Sequence, residues 1–430
     1  MASAAQAENT SRSVRVTLWI LLIVYIFNFI DRQIVNILAE PIANDLGLSD
    51  TQIGLMTGLA FALFYTALGL PIARYADRPT TNRPRLIAVA LATWSAMTAL
   101  CGLANNFVQL LLARIGVGVG EAGCTPPAHS LISDIVPPER RSSALAFYAL
   151  GIPVGTLLGM MIGGFLADWV GWRTAFLVVG LPGVLLALLV HFALREPRRH
   201  LTEAARAQAA SDAGMSIWAA VRTVMSSRAF VLLLAASSTA AFLAYGKVTW
   251  TTIFFQRTHE LSPGEVGFWF GVVNGAAGIF GTWFGGYLAD RFGAKSRRHV
   301  LTAPAIGMAV AVPFAFFAYQ SANWFVALLL LIVPTVCNSL YYGPTYSAAQ
   351  GLVPLRTRAI AAAMVLFFQN LIGLGLGPLF FGMLSDMLAP AYGEESVRYV
   401  LYGAAFLGLV PAFFFWRCSR RLDEELDRKG

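Results

Sequence analysis

Five ionisable residues stand in stretches otherwise too apolar to hold them: Asp31, Arg32, Arg114, Glu121 and Lys247. A charge at the centre of a membrane-embedded helix costs at least ~2.5–3.5 kcal/mol, so each needs a partner or a task. Buried carboxylates can load and release protons, and buried cations can hold anions. All five histidines fall at the ends of apolar stretches or in loops, which leaves the carboxylates as the proton carriers. With a helical rise of ~1.5 Å per residue, Asp31 lies ~21 Å above residue 17. Arg114, on a helix running the other way, lies ~10 Å below the far surface, close to the same depth. An Asp31–Arg114 pair is therefore geometrically allowed. Glu121 is seven residues past Arg114, two turns along one face and ~10 Å deeper. Two readings remain open: an ion pair that only fixes helix packing, or a proton site at Glu121 with Asp31–Arg114 as a state-dependent switch. A salt-bridged arginine keeps Asp31 deprotonated, whereas Glu121 has no evident partner at its depth, which favours Glu121 for the proton. Arg32 points ~100° away from Asp31 and suits a substrate anchor or a supporting partner.

The elements that position these groups follow from composition. Apolar residues make up 57% of 430 positions, charged residues 13%, and mean hydropathy is +0.64. Soluble domains carry about 25% charged residues, so this chain takes lipid as its solvent. Its backbone must then satisfy itself as helices. A span needs about 20 apolar residues. Twelve such stretches are expected, near 17–38, 53–73, 86–103, 107–128, 143–167, 174–194, 229–255, 266–288, 300–319, 324–349, 360–384 and 399–416. The first is too long for a cleaved leader and reads as a retained span.

Orientation comes from the basic residues. With the N-terminus inside, 25 of the 31 Lys and Arg fall on the cytoplasmic side, and only Arg173, Arg257 and Arg398 lie outside. That asymmetry puts both termini in the cytoplasm. It also accounts for the net charge of +8 without a nucleic-acid partner. The expected organisation is a six-helix bundle over 1–194, a cytoplasmic linker over 195–228, and a second six-helix bundle over 229–430. Residues 214–227 of the linker suit an amphipathic helix on the inner leaflet as well as a plain tether. The cysteines (Cys101, Cys124, Cys337, Cys418) have no paired spacing and indicate neither a disulfide framework nor a metal site.

The chain repeats itself. GGYLADRFGAKSRR (285–298) closes the eighth stretch, GGFLADWVG (163–171) the fifth, PIARYADR the second and FGMLSD the eleventh. Asp77 and Asp290 are 213 residues apart, and Asp168 and Asp386 are 218 apart, about half the chain. Copies three spans apart face opposite sides, which implies inverted three-helix units nested in two parallel halves, with a site near the bilayer midplane. On these motifs the chain resembles the major facilitator superfamily over essentially its full length. The first-half copy departs from the family loop signature: Ala73 replaces the leading glycine, and PTTNRP (79–84) disturbs the basic part. The resemblance implies an all-α membrane fold of two pseudo-symmetric six-helix bundles, working by alternating access. It also implies a gating latch at Asp77, Arg78, Asp290 and Arg291, for which a simple positive-inside turn is the alternative.

FNFIDRQIVNIL in the first stretch and RIGVGVGEAGCTPPA in the fourth are similar to the Spinster-type branch and also to the organic-anion symporters. The first resemblance implies proton-linked export of lysophospholipids or sphingoid lipids, with Asp31, Arg114 and Glu121 as charged motif residues. The second implies a small organic-anion or sugar-acid proton symporter. In this fold the first, fourth, seventh and tenth helices line the cavity, which makes Lys247 and Arg32 candidates for an anionic head. It makes Tyr245, Asn338, Tyr341, Tyr342 and Tyr346 candidates for the wall, on a tenth helix that Pro334 and Gly343–Pro344 allow to bend. Glycines of the fifth and eleventh stretches are expected to sit at the contact between halves. An enzyme would need GxSxG, HExxH or a close His/Asp set, and a channel a filter such as TVGYG; the sequence has none of these. No cofactor is expected beyond a coupling proton. The expected partners are the bilayer and a small amphipathic or anionic substrate, in a multi-pass cell-membrane protein (the inner membrane in a bacterium) able to act as a monomer.

Overall fold

The fourth and tenth spans, each expected as one helix, are both interrupted near their middles. The fourth runs Phe107–Glu121, turns through Ala122–Cys124 and resumes as Thr125–Ile135, where Pro126 and Pro127 occupy the new first turn. The tenth runs Trp324–Ser339 and resumes as Tyr342–Gly351 just ahead of Gly343–Pro344. Proline lacks the donor that a continuing helix needs, so each interruption is written into the sequence. Matching breaks in two halves are where a repeat transporter places its binding residues.

The structure is a computed structural model and describes residues 2–78, 80–200, 217–293, 296–354 and 357–427; all regular elements among them are helical. Among the described residues, nine stretches are long and apolar enough to cross a bilayer. Two of these contain two crossings each: Ser143–Ala193 breaks at Gly171, with φ 77°, and Ile360–Leu422 breaks around Gly393, with φ 58°. Glycine alone adopts such positive φ without strain. Helix Pro263–Gly293 is equally long, its hydropathy diluted by its glycines. Counted this way, the expected twelve crossings all have counterparts. Of the linker, Ile217–Met225 is helical, while 201–216 lie outside the described residues.

The chain folds into two units, Met1–Leu38 with Leu63–Gly214, and Ala39–Ala62 with Met215–Gly430. In the first, the helix Ala2–Ile37 lies against the fifth span so closely that a Cβ at Gly159 would stand 2.9 Å from the Ile30 Cα. The fifth-span glycines therefore serve packing inside this unit, where a contact between halves was expected. In the second, Phe230, Leu233, Leu301, Met308, Tyr341 and Phe415 share one buried core. Segment Ala39–Ala62 precedes the third span in sequence yet takes its contacts from the C-terminal helices.

Candidate functional site

Four charges converge in the first unit. Asp31 and Arg32 lie on the first span, and Arg114 and Glu121 on the fourth. Asp31, Arg114 and Glu121 are all at most 1% exposed. The ion pair that the structure forms is Arg32–Glu121: the Arg32 Nε donates to Glu121 Oε2 at 2.6 Å. This corrects the expectation that Glu121 lacks a partner. Helical rise fixes only depth, whereas the long arginine side chain at position 32 reaches Glu121 from the neighbouring helix. Glu121 is also the last residue of its helical segment, where carbonyls point past the end, and a cation is stabilised at a helix C-terminus.

Aromatic rings complete the seat of Arg32. Its guanidinium carbon stands 4.5 Å from the Tyr65 ring and 5.1 Å from the Phe29 ring, within cation–π range. Behind them Tyr25 stacks on Tyr148 with centroids 4.2 Å apart, and Tyr148 is 1% exposed, so this wall is rigid. Asp31 lies within electrostatic reach of Glu121 and Arg114, and its Oδ1 accepts no hydrogen bond from the described residues. Two carboxylates and two guanidinium groups thus balance in charge.

The second unit carries the remaining candidates. Lys247, half-buried on Arg228–Arg257, has no ion-pair partner among the described residues. Tyr341 is 1% exposed and packs against Phe415 at 5.9 Å, which places it in the core; Tyr342 stacks on it at 4.5 Å and is 37% exposed. Tyr346 donates to Gln369 Oε1 at 3.1 Å. Asn338 and Tyr245 are half-buried.

The four latch candidates fall two in each unit. Asp77 accepts from Ser130 at 3.2 Å, Arg78 sits over the Tyr75 ring, Arg291 donates to Tyr287 one turn back at 2.8 Å, and Asp290 is exposed. The strong contacts at the same end of the first unit belong to residues that sequence reasoning passed over. The fully buried Arg83 side chain pairs with Glu196 and, at 2.7 Å, with Asp134, and Arg198 also reaches Asp134 at 2.7 Å. Burial alone would raise the pKa of Glu196, but hydrogen bonds from Arg83 and the backbone outweigh it and hold the pKa low. In sequence these charges looked like topological ones at span ends. The signal available was Glu196, a lone acid at the end of the sixth span amid arginines.

Comparison with known proteins agrees with this architecture. Residues 21–378 match the Major Facilitator Superfamily profile. An MFS-type efflux pump of Mycolicibacterium smegmatis is 35% identical, covering 95% of this chain and 93% of its own. A hexuronate transporter of Bacillus subtilis is 26% identical over 90% of this chain and 92% of its own. Among solved structures, a bacterial homolog of the human lysosomal transporter Spinster, inward-facing and unoccupied, superposes with a TM-score of 0.87 at 30% identity, covering 96% of this chain and 98% of that one. Inverted repeats, helices broken at matching places and a buried charge cluster thus meet an independent match along most of the sequence. The chain belongs to the Major Facilitator Superfamily and is a multi-pass membrane transporter of Spinster type.

Proposed function

We propose that this transporter couples proton movement to the passage of an amphipathic lipid of the lysophospholipid or sphingoid kind, by alternating access. The observation that carries the proposal is the 2.6 Å contact between Arg32 and Glu121. While Glu121 is ionised, it occupies Arg32. A proton on Glu121 removes the counter-charge and frees the guanidinium for an anionic head group. Linkage runs both ways: an anion that draws Arg32 off Glu121 makes Glu121 a better proton acceptor. Arg32 can turn on its aromatic seat without losing all stabilisation, since each ring contributes about 0.5–2 kcal/mol. Asp31 is the second carboxylate of the coupling cluster and Arg114 the cation that steadies it. In the second unit, Lys247 is by itself a candidate cation for an anionic substrate.

The hexuronate transporter among the relatives favours a second reading, a small organic anion as substrate, because a carboxylate would suit Arg32 as well as a phosphate does. Full-length protein in liposomes, given a pH gradient and either fluorescent lysophosphatidylcholine or labelled glucuronate, separates the two. Gradient-driven movement of the lysolipid that a protonophore collapses is the expected result. Movement of glucuronate alone assigns the second reading, and transport of either compound with no response to the gradient refutes the coupling.

A further inference from the structure

The eleventh span is α-helical over Arg358–Phe368, turns π-helical over Gln369–Leu376 and resumes as Gly377–Tyr392. Such π-helical segments are rare and concentrate where helices carry function. This one opens on two amides, Gln369 and Asn370, which are 5% and 7% exposed. Buried amides are costly in a span unless their hydrogen bonds are made. Tyr346, on the half of the tenth span that resumes at Tyr342, donates to Gln369 Oε1 at 3.1 Å. The other end of that amide, Nε2, has no hydrogen-bond partner among the described residues. One phenol can satisfy only one end of an amide, so whichever way the group is turned, a buried polar atom is left over.

The neighbouring seventh span supplies a second unsatisfied group. A Cβ on Gly373 would stand 2.7 Å from the Ala241 Cβ, and one on Gly377 2.5 Å from the Phe242 carbonyl oxygen, so the two helices run side by side in the same direction. One turn back from that contact lie Gln369 and Asn370 on one helix and Ser238 on the other. Ser238 shares the helix face of Ala241 and is 3% exposed. On either side of it, Ser237 and Thr239 turn their hydroxyls back onto carbonyls of their own helix, at 3.3 and 2.7 Å. That is the ordinary way for such residues to satisfy themselves in a span. Ser238 Oγ makes no such bond and has no other partner among the described residues.

Phenols continue the polar lining. Tyr341 lies within electrostatic reach of Tyr342, Tyr245 and Tyr346. Tyr245 is seven residues past Ser238, two turns along the same face. Tyr342 is 37% exposed and Tyr346 half-buried, so the cluster opens to the surface beside the break at Gly343–Pro344, while its amide end is covered. All of these residues belong to the second unit. They are hydroxyls and amides with no formal charge among them, and none takes part in the charge cluster of the first unit.

We propose that Gln369, Asn370 and Ser238, with Tyr346 orienting the Gln369 amide, form a hydrogen-bonding subsite in the second unit for a free hydroxyl group of the cargo. A hydroxyl both gives and takes a hydrogen bond, which matches an amide nitrogen that must donate and a serine oxygen that can do either. An apolar chain would leave both unsatisfied, and an ionised head would find no counter-charge among these side chains. The unmade bonds are a cost that an incoming hydroxyl removes. A site built this way accepts a ligand that carries the group and rejects one that lacks it. The inference rests on the proposed cargo, since the lysolipid glycerol, the sphingoid chain and the ring of a sugar acid all carry free hydroxyls. For a lysolipid, that hydroxyl is the group that the surrounding diacyl lipids have esterified, so the subsite would tell cargo from bulk membrane.

The test uses full-length protein in detergent, calorimetry and two pairs of probes. One pair is oleoyl lysophosphatidic acid and its analogue with hydrogen in place of the glycerol hydroxyl. The other is glucuronate and cyclohexanecarboxylate, which lacks the ring hydroxyls. The parent is expected to bind the hydroxyl-bearing member of a pair about 10- to 100-fold more tightly. Gln369→Met keeps the length of the side chain without its amide and should bind both members alike, with the weaker affinity. Tyr346→Phe leaves the amide free to turn and should lose part of the preference, which a residue that only packs would not change. A preference within the glucuronate pair, with neither lysolipid form bound, removes the lipid reading and keeps the subsite. A parent with no preference in either pair, or a Gln369→Met protein that keeps the parent's preference, overturns it. Where Gln369→Met does not elute as a single folded species, an unchanged preference in Tyr346→Phe overturns it instead.

Discussion

Replacing Glu121 by glutamine keeps the shape of the side chain and removes the charge that holds Arg32 at 2.6 Å. Glu121 is fully buried and Arg32 largely so, with 13% of its side chain exposed. A hydrogen bond to a charged group is worth about 1.5–3 kcal/mol net, and an anion entering the site must displace that bond in the parent. In Glu121→Gln the competition disappears. The affinity for an anionic head group should therefore rise by about 10- to 150-fold, at about 1.4 kcal/mol per tenfold. In the parent, affinity should rise as the pH falls, because a proton on Glu121 does what the glutamine does permanently. The variant should bind tightly at every pH and lose gradient-driven accumulation.

Binding can be followed by calorimetry with lysophosphatidic acid in detergent, from pH 5 to pH 8. Arg32→Gln is the control that should weaken binding whatever the state of Glu121. Two results refute the reasoning: a Glu121→Gln protein whose affinity still changes with pH as the parent's does, or one that binds the anion more weakly than the parent at pH 8. The second would mean that Glu121 supports the anion site and does not compete with it.

Three further outcomes follow from other contacts. Arg83→Gln leaves Glu196 and Asp134 without their main cation and should cost about 3–5 kcal/mol, seen as a lower melting temperature, while Arg83→Met/Glu196→Leu should recover part of the loss. Because the Glu196 pKa is held low, its contribution is present at neutral pH and lost as the pH falls through the lowered value, so the gap between parent and Glu196→Gln should close in acid. Gly159→Leu forces a side chain onto the Ile30 backbone and should destabilise the first unit by about 1–3 kcal/mol or more, and an unchanged melting temperature would contradict the packing.

What the sequence made legible was whatever depends on solvent and period. Twelve apolar stretches, their alternating direction and the recurring aspartates at Asp77, Asp168, Asp290 and Asp386 are one-dimensional signals. Hydrocarbon leaves the backbone no option but helix. The embedded charges were legible for the same reason: Asp31, Arg32, Arg114, Glu121 and Lys247 stand out where charge is costly. Their partnership was not. Pairing depends on the rotation of each helix and on side-chain reach, and the rise per residue gives only depth. Arg32 and Asp31 are adjacent in sequence, yet the arginine alone reaches the end of the fourth helical segment at Glu121. Charges near span ends were harder still, because topology explains them all equally well. Arg257 counted as one of three outside basic residues, and nothing local shows that it grips Asp50 some two hundred positions earlier.

Those two networks have a common logic. Arg32–Glu121 is an ion pair at a break in a span, and Arg257–Asp50 is an ion pair at the end of one; each arginine meets a carboxylate on a helix from a distant part of the sequence. In both, the carboxylate is well buried and the arginine keeps part of its surface accessible. A buried pair adds little stability over apolar packing, but breaking it by removing one charge is expensive. Such a pair suits a device that must hold firmly and let go on a specific signal. Under the proposed coupling, a proton on Glu121 releases Arg32 and the arriving anion takes the place of the carboxylate, so the guanidinium exchanges one counter-charge for another.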